Sequence, residues 1–325
     1  MSSQILIVGG AGFIGRWVTK RLLACGHRVV VAGRRAAVEL ESGVRYCQVR
    51  NSDYRELAPF GPFRAIVDLA YTSLPQTSYE DPVKDIQENL PRFVNLLQFA
   101  VQQDCERFIF LSSGGTVYGQ ALRLPIDELH PLNPISPYGI TKLATEKYAA
   151  MFFAHYGLKY ICLRPGNVYG PGQLPFRGQG FIATAVGAAL TGNELVLFGK
   201  SGGVRDYIHV DDTASAVVAA IQHGVCGEVY NVGSGNGLNN LDVLASIKQV
   251  LPPQYSLAPV RHLPERIFDV RANVLDSTKF IKQTGWYPQI SFQVGIEEYI
   301  PWVTTALANH TCGPLGAGVE ATLRL

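Results

Sequence analysis

The chain has 325 residues and a formal net charge of +2, and 47% of its residues are hydrophobic, so it can fold as one large domain or two fused lobes. Its basic runs do not extend beyond Arg34-Arg35, which argues against nucleic-acid binding, and no apolar stretch approaches the roughly 20 residues that span a membrane. The six cysteines and seven histidines follow no CxxC or metal-ligand spacing, so we expect reduced thiols, no metal ion and a cytoplasmic protein.

The first predicted element is a buried strand that runs into a glycine-rich turn. Residues 5–8 are an apolar run typical of a parallel strand, and Gly9, Gly12 and Gly15 follow at three-residue spacing before a helical pattern. Such a turn lets the backbone approach a pyrophosphate and directs a helix N-terminus at its negative charge. The predicted dinucleotide contacts here are Gly9, Gly12, Phe13, Ile14 and Gly15.

The second predicted strand, residues 28–32, ends without the acidic residue that an NAD site usually carries. Gly33-Arg34-Arg35 follows it instead. Without a carboxylate there is no repulsion against a 2′-phosphate, and guanidinium groups can bind that phosphate. The sequence therefore favours NADP over NAD, with Arg34 and Arg35 as contacts. The alternative is that the two arginines form a solvated turn.

Two further cofactor contacts are expected after the third and fourth strands. Asp53 follows the strand near residues 44–49, where it could reach the adenine ring or cap the next turn. Ala70 follows the strand at residues 65–67, and its small side chain would let the backbone pass close to the cofactor.

The next strand, residues 108–111, runs into a loop rich in hydroxyl groups. Ligands of open α/β sheets bind beyond the carboxyl ends of strands, so we expect these hydroxyls to face the cofactor crevice. Ser112 is assigned to the cofactor. Ser113 or Thr116 is expected to orient a substrate hydroxyl, and the sequence does not choose between them.

A helix that begins at Pro137-Tyr138 carries the predicted acid–base pair. Tyr138 and Lys142 are four residues apart, so they share one helix face. A free phenol has a pKa of about 10, and a neighbouring ammonium group and the positive nicotinamide ring would lower it. Tyr138 could then exchange a proton with a substrate hydroxyl while a hydride is transferred, and both residues would also contact the cofactor.

In this order, the glycine turn, the Ser-Ser strand end and the Tyr138-x-x-x-Lys142 motif resemble the extended short-chain dehydrogenase/reductase family. The closest resemblance within it is to the nucleotide-sugar epimerases, dehydratases and reductases, the group of the UDP-galactose 4-epimerases, and it covers about residues 4–300. We expect an α/β fold, a doubly wound parallel sheet (Rossmann fold) with a smaller substrate lobe and the active site between them.

The resemblance also implies contacts with a nucleotide-diphosphate sugar. Segments 163–172, 196–199 and 204–212 resemble the family's diphosphate loop, its base-holding segment and its arginine motif. Arginines suit a diphosphate, although Arg205 could instead pair with Asp206 or Asp211. The implied substrate contacts are Asn167, Val196, Phe198, Arg205, Arg266 and Asp269, and Asn89 is implied to lie near the cofactor.

Four positions depart from the family pattern. Gly114 stands where the 4-epimerases have a catalytic serine or threonine, and Gly115-Thr116 stands where the dehydratases have Asp-Glu, so dehydration is not expected. A UDP-hexose 4-epimerase with a 4-keto intermediate is favoured slightly over an NADPH-dependent 4-ketoreductase. A non-catalytic dinucleotide sensor is a minor alternative, because Tyr138 and Lys142 are both present. Tyr71 stands where the family usually has a small residue.

The expected domains are residues 1–165 with part of 205–230 for the cofactor, and residues 166–204 and 233–305 for the substrate, followed by a tail at 306–325. Two amphipathic helices near residues 85–103 and 138–155 carry apolar faces. The resemblance implies that they form a four-helix homodimer interface, and the alternative is ordinary packing on the sheet.

Overall fold

The computed structural model describes residues 4–265 and 269–310. In chain order its strands are β1 (Gln4–Val8), β2 (Arg28–Gly33), β3 (Arg45–Gln48), β4 (Ala65–Asp68), β5 (Arg107–Leu111), β6 (Tyr160–Pro165), β7 (Asn167–Tyr169), β8 (Leu195–Phe198), β9 (Val204–His209), β10 (Glu228–Val232), β11 (Gly237–Leu238), β12 (Val260–Leu263) and β13 (Ala272–Asn273). The helices are α1 (Phe13–Ala24), α2 (Pro75–Glu80), α3 (Pro82–Gln102), α4 (Pro137–Tyr156), α5 (Phe181–Thr191), α6 (Val210–His223), α7 (Asn240–Val250), α8 (Thr278–Thr284) and α9 (Phe292–His310), with a 3-10 helix at Tyr54–Phe60.

The main sheet has seven strands in the order β10-β6-β5-β4-β1-β2-β3. Every neighbouring pair is parallel. The chain moves outward from β1 to β2 and β3, then returns to the other side of β1 to add β4 and the remaining strands. This reversal opens a crevice beyond the carboxyl ends of β1 and β4. The predicted doubly wound parallel sheet is confirmed.

Alternating strand residues build a core on each face of the sheet. In β1, Ile5 and Ile7 belong to one buried cluster, which includes residues of α1 and α6. Leu6 and Val8 belong to the other, which includes residues of α3 and α4. Because successive side chains of a strand point to opposite faces, a continuous apolar run buries both sides at once.

The remaining elements form smaller units around a third core. Strand β9 pairs with β11, β13 and β7, and β8 pairs separately with β12. Helices α5, α7 and α9 supply most of that core. The predicted boundary between two lobes remains a prediction. The tail predicted at 306–325 also remains a prediction. Helix α9 continues through His310, and residues 311–325 lie outside the described ranges.

Within the described ranges, the structure contains no helix with the length and apolar character needed to cross a membrane.

A buried ion pair fixes the end of β4. The guanidinium group of Arg92, on α3, donates to both carboxylate oxygens of Asp68 at 2.9 Å and to the carbonyl oxygen of Ala70 at 2.7 Å. Burial alone would lower the pKa of Arg92, but the carboxylate of Asp68 outweighs it and raises that pKa. The pair therefore anchors α3 beneath the loop that leaves β4.

Replacing Arg92 with alanine should lower the free energy of unfolding by about 3–5 kcal/mol, because it leaves the Asp68 carboxylate buried without its partner. Urea unfolding followed by circular dichroism measures this loss. The exposed pair of Arg64 and Glu106 is the control, and Arg64→Ala should cost less than about 1 kcal/mol. Equal losses in the two variants would contradict the anchoring role of Arg92.

Candidate active site

The glycine turn between β1 and α1 is shaped by close backbone contacts. Gly9 has a φ of +85°, and a Cβ atom placed on it would lie 2.8 Å from the amide nitrogen of Ala70. Gly12 is the N-cap of α1, and its N–H donates to the Gly9 carbonyl at 2.9 Å. A Cβ atom on Gly15 would collide with that same carbonyl. At these three glycines the turn therefore presents backbone, and not side chains, to the crevice. The N-terminus of α1 lies behind the turn.

The two arginines after β2 lie exposed at the rim of this turn. The Nη2 group of Arg35 donates to the carbonyl oxygen of Ala11 at 3.3 Å, inside the glycine turn. The backbone carbonyls of Arg34 and Arg35 accept hydrogen bonds from the side chains of Gln48 and Tyr46. These bonds to β3 hold the turn, so the Arg35 guanidinium lies beside the segment predicted to bind the cofactor.

Asp53 caps the 3-10 helix that follows it. Its carboxylate accepts the backbone N–H of Arg55 at 3.1 Å and pairs with the Arg55 guanidinium at 2.7 Å. The hydrogen bond from Arg55 lowers the pKa of Asp53. Of the two roles predicted for Asp53, the structure describes the cap, and contact with an adenine ring stays a prediction.

Asn89 is fully buried on α3 and holds the loop beyond β4. Its Oδ1 atom accepts the N–H of Thr72 at 2.9 Å and the Thr72 hydroxyl at 3.1 Å. Its amide group donates to the Ser73 hydroxyl at 3.0 Å and to the Asp85 carbonyl at 2.8 Å. Both ends of this side chain thus bond to protein groups, and the placement of Asn89 near the cofactor stays a prediction.

The predicted direction of the Ser112 hydroxyl is wrong. Ser112 is buried, and its hydroxyl donates to the carboxylate of Glu146 on α4. Glu146 also forms a buried ion pair with Arg164 at 2.6 Å. A buried carboxylate is stable only when donors surround it, and Ser112 is one of those donors. Its hydroxyl therefore lies against Glu146 and not in the cofactor crevice.

Packing accounts for the glycine at position 114. A Cβ atom there would lie 2.6 Å from a methyl group of Leu275 and 2.9 Å from the carbonyl oxygen of Arg164. The carbonyl oxygen of Gly114 also accepts the Asn273 amide at 2.8 Å. A serine or threonine does not fit unless the backbone around it moves. The hydroxyl that orients a substrate must therefore come from another position in this loop.

Thr116 is the better placed of the two candidate hydroxyls. Its Oγ1 atom is buried, and it has no hydrogen-bond partner within the described part of the chain. Its carbonyl oxygen lies 3.0 Å from a Cβ atom placed on Gly139, the residue after Tyr138. Ser113 lies on the other side of Gly115, toward Asn167. The Thr116 backbone thus lies near the start of α4, and its buried hydroxyl, which lacks a partner among the described residues, could donate a hydrogen bond to a ligand or accept one from it.

Tyr138 and Lys142 lie near one another on the first turns of α4. The hydroxyl of Ser136 caps this helix through the N–H of Gly139, and the N–H of Tyr138 donates to the Ser78 hydroxyl at 3.1 Å. The Lys142 ammonium donates to the Leu111 carbonyl at 2.9 Å and lies 5.7 Å from the centre of the Tyr138 ring. The predicted pair is thus assembled at the carboxyl end of β5.

Burial shifts the protonation of both groups. It raises the pKa of the Tyr138 phenol, and it lowers the pKa of the Lys142 ammonium to about 8. At neutral pH the phenol keeps its proton and most of the lysine is charged. Activation of Tyr138 as a base therefore requires positive charge, and Lys142 is a charge of that sign next to it.

The predicted substrate residues lie on segments beyond the main sheet. Asn167 begins β7, and its Oδ1 atom is 3.2 Å from a Cβ atom placed on Gly115, so it faces the catalytic loop. Val196 and Phe198 are half-buried on one face of β8, while Leu195 and Leu197 point into the core. An open depression of about 460 Å³ adjoins the end of β8, lined by Gly199, Lys200, His262, Leu263 and Glu265.

The charged substrate residues are only partly described. Arg205 lies on β9, where its guanidinium donates to the carbonyl of Val204 at 3.0 Å. The Asp269 carbonyl accepts the Gln120 amide at 3.0 Å. Arg266 lies outside the described residues. Across residues 4–265 and 269–310, no three His, Cys, Asp or Glu side chains are grouped so that they could hold a metal ion.

Sequence reasoning missed the role of Tyr71 in this site. The Lys142 ammonium lies 4.0 Å from the centre of the Tyr71 ring, and the rings of Tyr71 and Tyr138 pack edge to face at 4.9 Å. The sequence feature that could have indicated this contact is the size of Tyr71, because the family that the chain resembles usually has a small residue at this position.

Comparison with known proteins supports the resemblance to the nucleotide-sugar epimerases, dehydratases and reductases. Residues 5–233 match the model of the NAD dependent epimerase/dehydratase family. The UDP-glucose 4-epimerase of Mycolicibacterium smegmatis is 33% identical over 313 residues, covering 91% of this chain and 97% of that protein. More distant relatives include dehydratases and a reductase of dTDP-linked sugars.

Solved structures agree with the sequence relatives. The crystal structure of a Thermotoga maritima UDP-glucose 4-epimerase with UDP-glucose has a TM-score of 0.87 and 33% identity, covering 94% of this chain and 99% of that one. The Thermus thermophilus UDP-glucose 4-epimerase in complex with NAD has a TM-score of 0.85 and 33% identity, covering 93% and 99%. The predicted resemblance is confirmed, and the chain belongs to the NAD-dependent epimerase/dehydratase family.

Proposed function

We propose that the protein is a nucleotide-sugar 4-epimerase that acts on a UDP-hexose through a 4-keto intermediate. The observation that carries this proposal is that Tyr138 and Lys142 lie near one another at the carboxyl end of β5, beside the loop in which the Thr116 hydroxyl has no partner among the described residues. The similarity to UDP-glucose 4-epimerases over nearly the whole chain supports the same substrate class.

The residues divide the chemistry between them. Tyr138 removes the proton of the C4 hydroxyl and later returns one, and Thr116 orients that oxygen by hydrogen bonding. The ammonium of Lys142 stabilises the phenolate of Tyr138, and both residues would contact the cofactor when it is bound. When bound, the dinucleotide supplies the hydride acceptor for C4, held at the turn of Gly9, Gly12 and Gly15. Because Gly115 and Thr116 supply no acid, the site lacks the groups for dehydration.

The remaining predicted contacts belong to the same proposal. On the cofactor side, Phe13 and Ile14 form the start of α1, and Asp53 and Ala70 follow β3 and β4. The proposed contacts of the UDP-sugar are Asn167, Val196, Phe198, Arg205, Arg266 and Asp269. We place the enzyme in the cytoplasm, with the cysteines reduced.

The cofactor preference that we infer is for NADP. Arg34 and Arg35 lie exposed at the end of β2, and the Arg35 guanidinium reaches the glycine turn, which supports recognition of a 2′-phosphate by these residues. This feature also favours the second candidate function, an NADPH-dependent 4-ketoreductase of a nucleotide-activated 4-keto sugar. The presence of both Tyr138 and Lys142 argues against a sensor that does not turn over.

A homodimer is proposed from the outer face of α3 and α4. These helices pack side by side against the same core of the sheet. Val83 and Ile86 on α3 are 62% and 50% exposed, and Ile140 and Tyr148 on α4 are 57% and 38% exposed. Their spacing places the apolar residues of each helix on a common stripe. A second copy of the chain, carrying the same face, would cover these residues and complete a four-helix interface.

The purified protein should interconvert UDP-glucose and UDP-galactose without net consumption of cofactor. Tyr138→Phe should lower that rate at least about 100-fold while cofactor binding and circular dichroism stay normal, because only the transferable proton is lost. Tyr156→Phe, on the exposed end of the same helix, is the matched control and should react like the parent protein. Normal turnover by Tyr138→Phe would refute the mechanism, and stoichiometric oxidation of NADPH with a 4-keto sugar would favour the reductase.

Emptied protein titrated by calorimetry should bind NADPH at least tenfold more tightly than NADH, a difference of about 1.4 kcal/mol. Arg34→Ser combined with Arg35→Ser should remove that preference and leave NADH binding nearly unchanged, because the additional phosphate is the part of the cofactor that the arginines are proposed to recognise. NAD released from the freshly purified protein, together with no preference for NADPH, would contradict the assignment.

Light scattering should give twice the mass of the chain for the parent protein. Ile86→Lys combined with Ile140→Lys should give the mass of one chain, because burying two ammonium groups against an apolar partner is unfavourable. Val294→Lys, an exposed position on α9, is the control and should leave the mass unchanged. A parent protein that is monomeric at micromolar concentration would exclude this interface.

A further inference from the structure

Tyr71 lies between the ammonium of Lys142 and a buried carboxylate. The Lys142 nitrogen is 4.0 Å from the centre of the Tyr71 ring, which also packs edge to face on Tyr138 with an interplanar angle of 67°. At its other end, the Tyr71 hydroxyl donates to the carboxylate of Asp85 at 3.3 Å. The ring thus touches both members of the proposed acid–base pair.

The Tyr71 ring is held in this orientation by α3 and α4. Asp85, on α3, is buried, and its other carboxylate oxygen accepts the hydroxyl of Thr141 at 2.6 Å. Thr141 precedes Lys142 on α4. Next to Tyr71 in the chain, Thr72 is bonded to the fully buried Asn89 through its N–H and its hydroxyl. Tyr71 is therefore fixed at its hydroxyl by Asp85 and at its backbone by the loop.

Lys142 needs a partner of this kind, because its surroundings give it few others. An ammonium group has three N–H donors, and the Leu111 carbonyl accepts one of them. The carboxylates of Asp68 and Asp85 both favour the charged form of Lys142. Asp68 is already paired with both terminal nitrogens of Arg92, and Asp85 accepts hydrogen bonds from two hydroxyl groups. Burial also keeps the nearby thiol of Cys162 protonated.

An aromatic face can stabilise such an ammonium. The face of a phenol ring carries negative charge density, and it attracts a cation most strongly where water is absent. We propose that Tyr71 is a positioning residue, whose ring holds the Lys142 ammonium charged and next to Tyr138. This inference rests on the proposed function, since it assigns the group that maintains the charge on which Tyr138 depends.

The role of the ring differs from that of the hydroxyl. Removing the ring takes away the second partner of the ammonium, so Lys142 loses its proton at a lower pH and Tyr138 loses the neighbouring charge. Removing only the hydroxyl breaks the bond to Asp85 and leaves the aromatic face in place. The two substitutions therefore separate cation stabilisation from simple packing.

The test uses the full chain labelled with ¹³C at the lysine ε-carbon, with the Lys142 signal identified by its loss in Lys142→Met. In Tyr71→Leu the titration midpoint of Lys142 should fall by roughly half a pH unit to one pH unit. In Tyr71→Phe it should stay near the parent value of about 8. An unchanged midpoint in Tyr71→Leu, or equal shifts in both variants, would overturn the proposal.

Fluorinated phenylalanines at position 71 keep the test decisive if Tyr71→Leu does not fold. The ring keeps its shape while each added fluorine withdraws charge from its face, so the Lys142 midpoint should fall stepwise from phenylalanine to 4-fluoro- and 3,4,5-trifluorophenylalanine. No trend across this series would also overturn the proposal.

The alkaline limb of the kcat profile should move to lower pH in the same order as the Lys142 midpoint. A structural defect would lower kcat without moving that limb. The lysine titration needs no turnover, so a failure of the positioning role of Tyr71 can be distinguished from a failure of the proposed function. A shifted midpoint in a protein with no epimerase or reductase activity would reject the proposed function and retain the positioning of Lys142 by Tyr71.

Discussion

The structure depends on keeping charged groups stable where water is excluded, at the carboxyl ends of the central strands. Arg92 neutralises Asp68 at the end of β4 and Arg164 neutralises Glu146 beneath β5, whereas Lys142 donates to a backbone carbonyl and lies over the rings of Tyr71 and Tyr138. The first two pairs are closed and anchor helices. The Lys142 ammonium is not closed by a carboxylate in this way. This difference distinguishes a charge that supports the fold from a charge that is available for chemistry.

The same region shows how packing limits where catalytic groups can stand. Leu275 and the Arg164 backbone fill the space beside Gly114, so the loop carries its free hydroxyl two residues later, at Thr116. Ser112, directly after β5, also has a hydroxyl, but that hydroxyl donates to the buried carboxylate of Glu146. The packing of the neighbouring core thus limits which positions of this loop can carry the hydroxyl that we propose to be catalytic.

Local patterns predicted the parts of the site that depend on the backbone. The strand, glycine turn and helix from Gln4 to Ala24 are encoded by apolar runs and by glycine spacing, and Tyr138 and Lys142 share a face by helix geometry alone. The direction of Ser112, the buried bonds of Asn89 and the contact of Tyr71 with Lys142 join residues from distant segments. No periodicity encodes such contacts, because they depend on how helices α3 and α4 settle on the sheet.

The late position of β10 in the chain has a consequence for how the protein is made. This strand pairs with β6 across more than sixty intervening residues, and α1 shares a core cluster with α6. A growing chain that has completed only β6 therefore exposes an unpaired edge strand and the apolar side of its first helix, both prone to aggregation. The seven-stranded sheet cannot be completed until residue 232 has been synthesised, so its folding is tied to synthesis of all the segments that lie between β6 and β10 in the chain.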